Sequence, residues 1–230
     1  MKHTFLFIAA SLLLAGSAQA QATFSIGPRV GLNVSNARFP GISRPLYPSR
    51  AGLEAGLTST VQLGHFAMQP SLLFSQKGYR TSSFTQSFDM FVTTEEDYRL
   101  NYLTLPVNLA YTLRRDGQGL QVFGGPYASL LLGGNYAQRL SGFSEEYTGK
   151  VKAASIATDA DNRYARRLDA GLQAGVGYRL KGLQLQASYS LGLRNVAVPY
   201  QAFNGQVYQP SSVYNRAFQV ALSYLVGGKS

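Results

Sequence analysis

The sequence predicts an all-β protein, an eight-stranded antiparallel up-and-down transmembrane β-barrel. Three observations predict it: eight segments alternate apolar and polar residues with period two, the connections alternate short and long, and charge is scarce. Charged residues make up 14% of the 230 residues, against roughly 25% in an ordinary soluble domain. Gly (24) and Tyr (15) are abundant, and Cys and Trp are absent. Without cysteine there is no disulfide framework, no thiolate metal site and no thiol nucleophile.

The chain opens with a short basic start at Lys2, an apolar run from Phe5 to Ala15, and the small-x-small triplet Ala18-Gln19-Ala20. The run is too short for the ~20 residues of a membrane-spanning helix, and a cleavage triplet follows it directly. Residues 1–20 therefore read as an export signal removed before Gln21. Residues 21–230 read as a single barrel domain with four long external loops, placed in the outer membrane.

The first strand sets Phe24, Ile26, Pro28, Val30, Leu32 and Val34 against Ser25, Gly27, Arg29, Gly31 and Asn33. Strict alternation places the two sets on opposite faces of a strand. The second carries Ala51, Leu53, Ala55, Leu57, Val61 and Leu63 on its apolar face, and the third Phe66, Met68, Pro70, Leu72 and Phe74. The fourth carries Leu103, Leu105, Val107, Leu109, Tyr111 and Leu113. The fifth, from Leu120 to Leu132, is less regular because Phe123, Tyr127 and Leu131 fall on its polar side. The sixth runs Leu168, Ala170, Leu172, Ala174, Val176 and Tyr178, and the seventh Leu183, Leu185, Ala187, Tyr189, Leu191 and Leu193. Phe218, Val220, Leu222, Tyr224 and Val226 form the eighth. Each is close to the ~9–11 residues that cross a bilayer as a tilted strand.

The connections run long, short, long, short, long, short, long. The long ones are 37–49, 80–97, 134–165 and 195–214; the short ones are Gly64-His65, 114–119 and Lys181-Gly182. Short periplasmic turns and long outer loops sort by parity in this way in outer-membrane barrels. The polar face is Gly, Ser, Gln and Asn with single charges, which suits the narrow lumen of eight strands. The apolar face suits lipid. Tyr98, Tyr102, Tyr178, Tyr214 and Tyr224 stand near strand ends, where rings are expected at the membrane–water boundary.

Several runs resemble the outer-membrane β-barrel domain family of Bacteroidota that includes PorT-like proteins. They are Gly31-Leu32-Asn33, the stretch from Met68 to Gly78 (MQPSLLFSQKG), the stretch from Leu100 to Val107 (LNYLTLPV), and Gly124-Gly125-Pro126-Tyr127. Asp169-Ala170-Gly171 with Gly175-Val176-Gly177-Tyr178, and the stretch from Tyr189 to Asn195 (YSLGLRN), complete the set. The resemblance implies an integral outer-membrane barrel. For the PorT-like members it also implies support of protein secretion.

Catalysis finds little in the sequence. Once the leader is gone, His65 is the one histidine left, and it stands in a short turn away from the side where outer-membrane hydrolases place theirs. No cofactor or metal is expected: Glu95-Glu96-Asp97, Glu145-Glu146, Asp159 and Asp161 match no cation-loop spacing and read as solvated loop charge. The net charge of +10 is scattered rather than clustered, which disfavours nucleic acid and leaves lipopolysaccharide phosphates as a partner for loop cations. The expected function is a non-enzymatic envelope or partner-binding barrel, with a secretion or envelope protein as partner. A small passive channel is the alternative, and an enzyme acting on lipid ranks behind it.

Register arithmetic gives candidate lumen ion pairs. A two-residue turn at Lys181-Gly182 makes opposed residues sum to 363, so Asp169 is expected to face Arg194, both on the lumen side. The Gly64-His65 turn places Glu54 opposite Ser75 and diagonal to Lys77. Arg29 and Arg179 complete the set of lumen charges, all expected to be structural, since a charge in a narrow lumen needs a partner. The intact mass of protein purified from membranes is expected to correspond to a chain beginning at Gln21; a mass retaining residues 1–20 would overturn the leader.

Overall fold

The computed structural model describes residues 22–40, 49–87, 90–141, 146–157, 162–202 and 204–227. The leader lies outside them, as do Glu145, Asp159 and Asp161. In chain order the strands are β1 (Thr23–Arg38), β2 (Arg50–Leu63), β3 (Phe66–Ser87), β4 (Met90–Thr112), β5 (Gly119–Leu140), β6 (Glu146–Ala153) and β7 (Arg163–Ala165). They continue as β8 (Leu168–Leu180), β9 (Leu183–Gly192), β10 (Tyr200–Gln201), β11 (Val207–Tyr208), β12 (Tyr214–Tyr224) and β13 (Val226–Gly227). Eight of them, in the order β4-β3-β2-β1-β12-β9-β8-β5 with β5 returning to β4, close an antiparallel ring. The eight-stranded up-and-down barrel is therefore what the chain forms.

Alternation decides the two faces as expected. Leu32, Leu53, Phe66, Leu72, Leu109, Val176, Leu185 and Val220 point outward and are exposed, whereas Ser25, Asn33, Thr58, Gln69, Ser75, Gln121, Gln186 and Ser223 are buried inside. Phe123, Tyr127 and Leu131, the residues that blur the fifth strand, are buried on the lumen side. Two of the five boundary tyrosines are corrected: Tyr102 is fully buried in the interior and Tyr98 packs against the inner cluster around it. Both share inward parity with Thr104 and Asn108, so proximity to a strand end does not place a ring in the interface.

Registers follow the turns. Leu180 pairs with Leu183 and the ladder runs unbroken to Gly171↔Gly192; Glu54 pairs with Ser75. Both Lys181 (φ 47) and Gly182 (φ 89) have positive φ, the primed-turn geometry that matches strand twist.

The connections 80–97 and 134–165 differ from the expectation of loops. The β3–β4 ladder continues without interruption from Gly78↔Arg99 up to Ser87↔Met90. β5 likewise continues to Leu140 and pairs with both β4 and β6. β3, β4, β5 and β6 thus rise past the lipid-facing band as a curved wing. The reason is solvent: the wing is rich in Thr, Tyr and Phe, good strand formers, but neither of its faces meets lipid. Alternation arises only where the two faces differ.

One irregularity redirects a side chain. The β4–β5 register shifts between Asn101 and Tyr102, where Leu131 and Gly133 flank the extra residue Leu132, and Gly133 has φ 143. Past this bulge the parity of β5 reverses, so Tyr136 turns inward and is buried. Replacing Gly182 by Ala is expected to cost about 1–2 kcal/mol, because positive φ disfavours a side chain and a Cβ there meets the Leu225 carbonyl oxygen at 2.8 Å. The Gly64→Ala change, at a turn open to solvent, is expected to cost less. Urea midpoints in phospholipid vesicles measure both.

Candidate functional site

The lumen is filled by two layers of polar side chains. In the first, Arg29 Nε donates to Glu54 Oε1 at 3.1 Å, and the Arg29 guanidinium also donates to the Gln186 side-chain oxygen. Gln186 Nε2 donates to Gln69 (3.0 Å), and Gln69 Nε2 to Gln121 (2.9 Å). This chain links β2, β1, β9, β3 and β5 across the axis. Arg29 and Glu54 are 4% and 3% exposed, so the pair is desolvated and depends on its hydrogen bonds.

In the second layer Lys77 Nζ lies 4.0 Å from Asp169 Oδ2. It also sits over two rings, 4.5 Å from the Tyr127 centroid and 5.6 Å from that of Tyr102, a cation–π arrangement strengthened by burial. Asn215 Nδ2 (3.0 Å) and the Tyr127 hydroxyl (3.4 Å) donate to the same Asp169 oxygen. Near the short-turn end, Arg179 Nη2 donates to Ser25 Oγ at 3.2 Å; at the level of Gln69, its ladder partner Asn108 accepts at Oδ1 from Gln173 Nε2 at 2.9 Å.

Five of the six expected lumen charges are therefore buried inside: Asp169, Glu54, Lys77, Arg29 and Arg179. The partners are different. Glu54 pairs with Arg29, and Lys77 pairs with Asp169. Arg194 is corrected outright, being exposed at the rim. The β8–β9 ladder ends at Gly171↔Gly192, and both Leu193 N–H and Arg194 N–H bond to the Ala170 carbonyl (2.9 and 3.2 Å). Two donors on one carbonyl break the sum rule just before Arg194.

Above the lumen the inner face of the wing is aromatic. Tyr79 stacks on Tyr98 (centroids 4.8 Å) and Tyr98 on Tyr136 (6.3 Å). Arg163 of β7 lies over the Tyr136 ring at 5.0 Å and donates to Glu96 Oε1 at 3.0 Å. The Tyr98 hydroxyl donates to Glu96 Oε2 at 3.0 Å. Burial first, then Tyr79 and Glu96, hold that hydroxyl well above its usual pKa, so it stays a neutral donor.

The outer face of the wing forms an open groove of about 890 Å³ across β3 to β6. Arg80, Arg99, Arg139 and Lys150 line it together with Glu95, Asp97 and Glu146. These carboxylates stand on strands rather than in loops: Glu95 and Glu146 are exposed, as expected of solvated charge, whereas Glu96 and Asp97 are partly buried. Asp97 bonds Arg50 and Arg80, Glu146 bonds Arg139 at 2.8 Å, and Glu96 points inward to Arg163. Adjacent carboxylates on a strand face opposite ways, so Glu95, Glu96 and Asp97 do not converge on one cation. His65 Nδ1 lies 2.9 Å from the Thr112 carbonyl and its ring stacks on Tyr111 at 5.6 Å.

A closed ring with an apolar outer band and a polar, filled interior defines an integral outer-membrane β-barrel protein. The family model described as outer membrane protein beta-barrel domain matches residues 18–198. The chain belongs to that family, and its location is the outer membrane. Among solved structures it is similar to Ail, the attachment invasion locus protein of Yersinia pestis, crystallised with the heparin analogue sucrose octasulfate. Identity there is 12%, the TM-score is 0.43, and the match covers 90% of this chain and 100% of that one. It is similar also to Neisserial surface protein A (11% identity, TM-score 0.43, covering 87% and 96%). A third is the translocator domain of the autotransporter NalP from Neisseria meningitidis (11%, TM-score 0.27, 97% and 95%). No curated protein sequence matches the chain significantly.

Removing one member of the buried pair is expected to cost about 3 kcal/mol or more, because the other charge is left unpaired in the lumen. Lys77→Met with Asp169→Asn together should cost less than the sum of the two single changes. The same cycle on Asp169 and Arg194 should give coupling within about 0.5 kcal/mol of zero. Equilibrium unfolding in vesicles reads both cycles; strong Asp169–Arg194 coupling would restore the pairing expected from register.

Proposed function

We propose that the protein is a non-enzymatic barrel that acts as a binding platform at the cell surface, reached after export by the leader 1–20. The short turns then face the periplasm and the wing stands outside. The observation that carries this reading is the wing itself. From Gly78 to Ser87 the β3–β4 ladder runs on for about 30 Å at ~3.3 Å per residue, above a lumen filled by two layers of side chains.

A rigid sheet presents side chains at fixed spacings, which favours recognition of an extended polar surface over a small apolar ligand. The groove carries both signs of charge, so it complements a protein or glycan surface of mixed charge rather than a polyanion. Lipid and lipopolysaccharide surround the wall, and an envelope or secretion-system protein is the partner the wing would engage, in keeping with the resemblance to PorT-like proteins. A non-catalytic role is supported by His65, which is committed to the Thr112 carbonyl and the Tyr111 ring.

With no native cysteine to interfere, single-cysteine labelling tests the topology. A membrane-impermeant maleimide is expected to label Thr148→Cys on intact cells, and Asp116→Cys only after the outer membrane is opened. The opposite pattern would invert the barrel and remove the platform from the surface. In planar bilayers the purified protein is expected to give no stable conductance steps; defined steps would favour a channel.

A further inference from the structure

The outer wall changes character just above the lipid-facing band, and it does so at one place. The β2–β3 register ends at Glu54↔Ser75, while β2 continues four residues further to Arg50, paired on its other side with β1 through Ser35↔Arg50. The strands stay close through Gly52, whose Cβ would meet the Gln76 carbonyl oxygen at 2.1 Å, and part beyond it, where Ser35 Oγ of β1 donates to the Gly78 carbonyl and accepts from the Gly78 N–H, both at 2.9 Å; a seam is left there. A crevice of about 290 Å³ occupies it, lined by Leu32, Leu53 and Ala51 below and by Arg50, Gln76 and Arg99 above.

Two guanidinium groups, those of Arg50 and Arg99, line the crevice, and a third, of Arg80, is tied to Arg50 through Asp97. Arg80 and Arg99 are outward residues of β3 and β4, opposite Asp97 and Gly78 in the ladder. Arg50 lies across the wall: a Cβ at Gly78 would meet its Cδ at 2.8 Å, so the bare glycine lets the arginine stem pass and reach Asp97. Asp97 bonds Arg50 and, at 3.3 Å, Arg80. One carboxylate thus stands among three cations. Burial, then the like charges of Arg99 and Arg80, draw the Arg50 guanidinium down to about 10; it stays protonated at neutral pH, and Asp97 offsets only part of the cluster's positive charge.

The height of this cluster identifies the ligand. Phe74 and Leu103 close the unbroken outward apolar runs of β3 and β4, at 39% and 38% exposure; the next exposed apolar residue on β3, Phe84, stands well up the wing. Gly78 and Arg99 lie four residues beyond them, about 13 Å along the strand, which is the headgroup level of the leaflet. The lower half of the crevice is aliphatic, with Leu32 and Leu53 63% and 58% exposed, as an acyl chain requires. The upper half offers planar, bidentate donors, the geometry suited to phosphate. We propose that this seam seats a phosphorylated glycolipid of the outer leaflet, its phosphate held by Arg50 and Arg99 with Arg80 behind them, and one acyl chain lying on Leu32 and Leu53.

This site rests on the reading that the wing faces outward, which the cysteine labelling decides separately. The test is native mass spectrometry of the full mature protein released from detergent, titrated with lipid A, with dephosphorylated lipid A and with phosphatidylglycerol. Lipid A is expected to be retained at least tenfold more strongly than either of the others, and millimolar inorganic phosphate should not displace it. Arg50→Gln with Arg99→Gln should lower retention at least tenfold, while Arg114→Gln with Arg115→Gln, at the opposite rim, should leave it within twofold. The Asp97 carboxylate keeps Arg80 as a partner in the first variant, and heat-modifiable mobility on gels confirms that each variant is folded. Equal retention of dephosphorylated lipid A, equal retention of phosphatidylglycerol, displacement by free phosphate, or a folded double Gln variant that still retains lipid A would each overturn the site.

Discussion

Ring closure between the first and last barrel strands is the constraint on which everything else depends. In hydrocarbon an unpaired peptide group costs several kcal/mol, so a sheet with two open edges is not a viable spanning structure. β1 and β12 remove those edges by pairing from Arg29↔Ser223 to Arg38↔Tyr214, and β13 extends the seam at the other end through Ser25↔Gly227 and Ile26↔Val226. These residues are nearly two hundred positions apart in the chain. No local preference brings them together; the cost of an exposed edge does.

Closure then dictates the interior. Eight strands enclose a space that side chains just fill, so each inward residue is determined by what faces it across the axis as well as by its ladder neighbours. Arg29 on β1 satisfies Glu54 on β2 and Gln186 on β9 together, and Asp169 on β8 collects Lys77 from β3, Tyr127 from β5 and Asn215 from β12. A buried ion pair of this kind is weak evidence for added stability, because desolvation offsets much of the attraction. Its clearer consequence is specificity. A one-residue slip in any ladder would send a charge outward into lipid and leave its partner alone inside.

The limits of sequence reading follow from the same geometry. Outward and inward faces were legible because lipid and lumen differ so strongly that every other residue of Leu183 to Leu193 or Phe24 to Val34 reports its side. Hairpin registers were legible where a two-residue turn fixes them, as at Lys181-Gly182. Partners across the lumen were not, since Lys77 and Asp169 lie on strands that never pair, and adjacent-strand arithmetic offers only Ser75 or Arg194. The wing was hidden for the opposite reason: beyond the inner Tyr79–Tyr98–Tyr136 stack neither face meets lipid, so Thr81, Ser83, Thr93 and Glu95 carry no alternation to read. Tyr136 was hidden by a single inserted residue at Leu132, which reverses parity for the rest of β5. Gly133, with its positive φ, was the one local signal of that reversal.

Asp97 joins the two regions that lie above the filled lumen. It stands at the level where the lipid-facing wall gives way to the wing, bonded to Arg50 at the start of β2 and to Arg80 on β3. The Arg50–Asp97 contact spans the seam where the β2–β3 ladder stops, and Ser35 Oγ replaces backbone pairing there by bonding both the N–H and the carbonyl of Gly78. Arg80 and Asp97 also line the outer groove. Occupancy of the seam by an anion would compete with Asp97 for Arg50 and release carboxylate charge toward the groove. Because the wing is one continuous sheet from β3 to β6, a change at its base bears on Arg99 and Arg139 through paired neighbours rather than through a loop. The proposed lipid seat and the proposed binding face thereby share the same few charges.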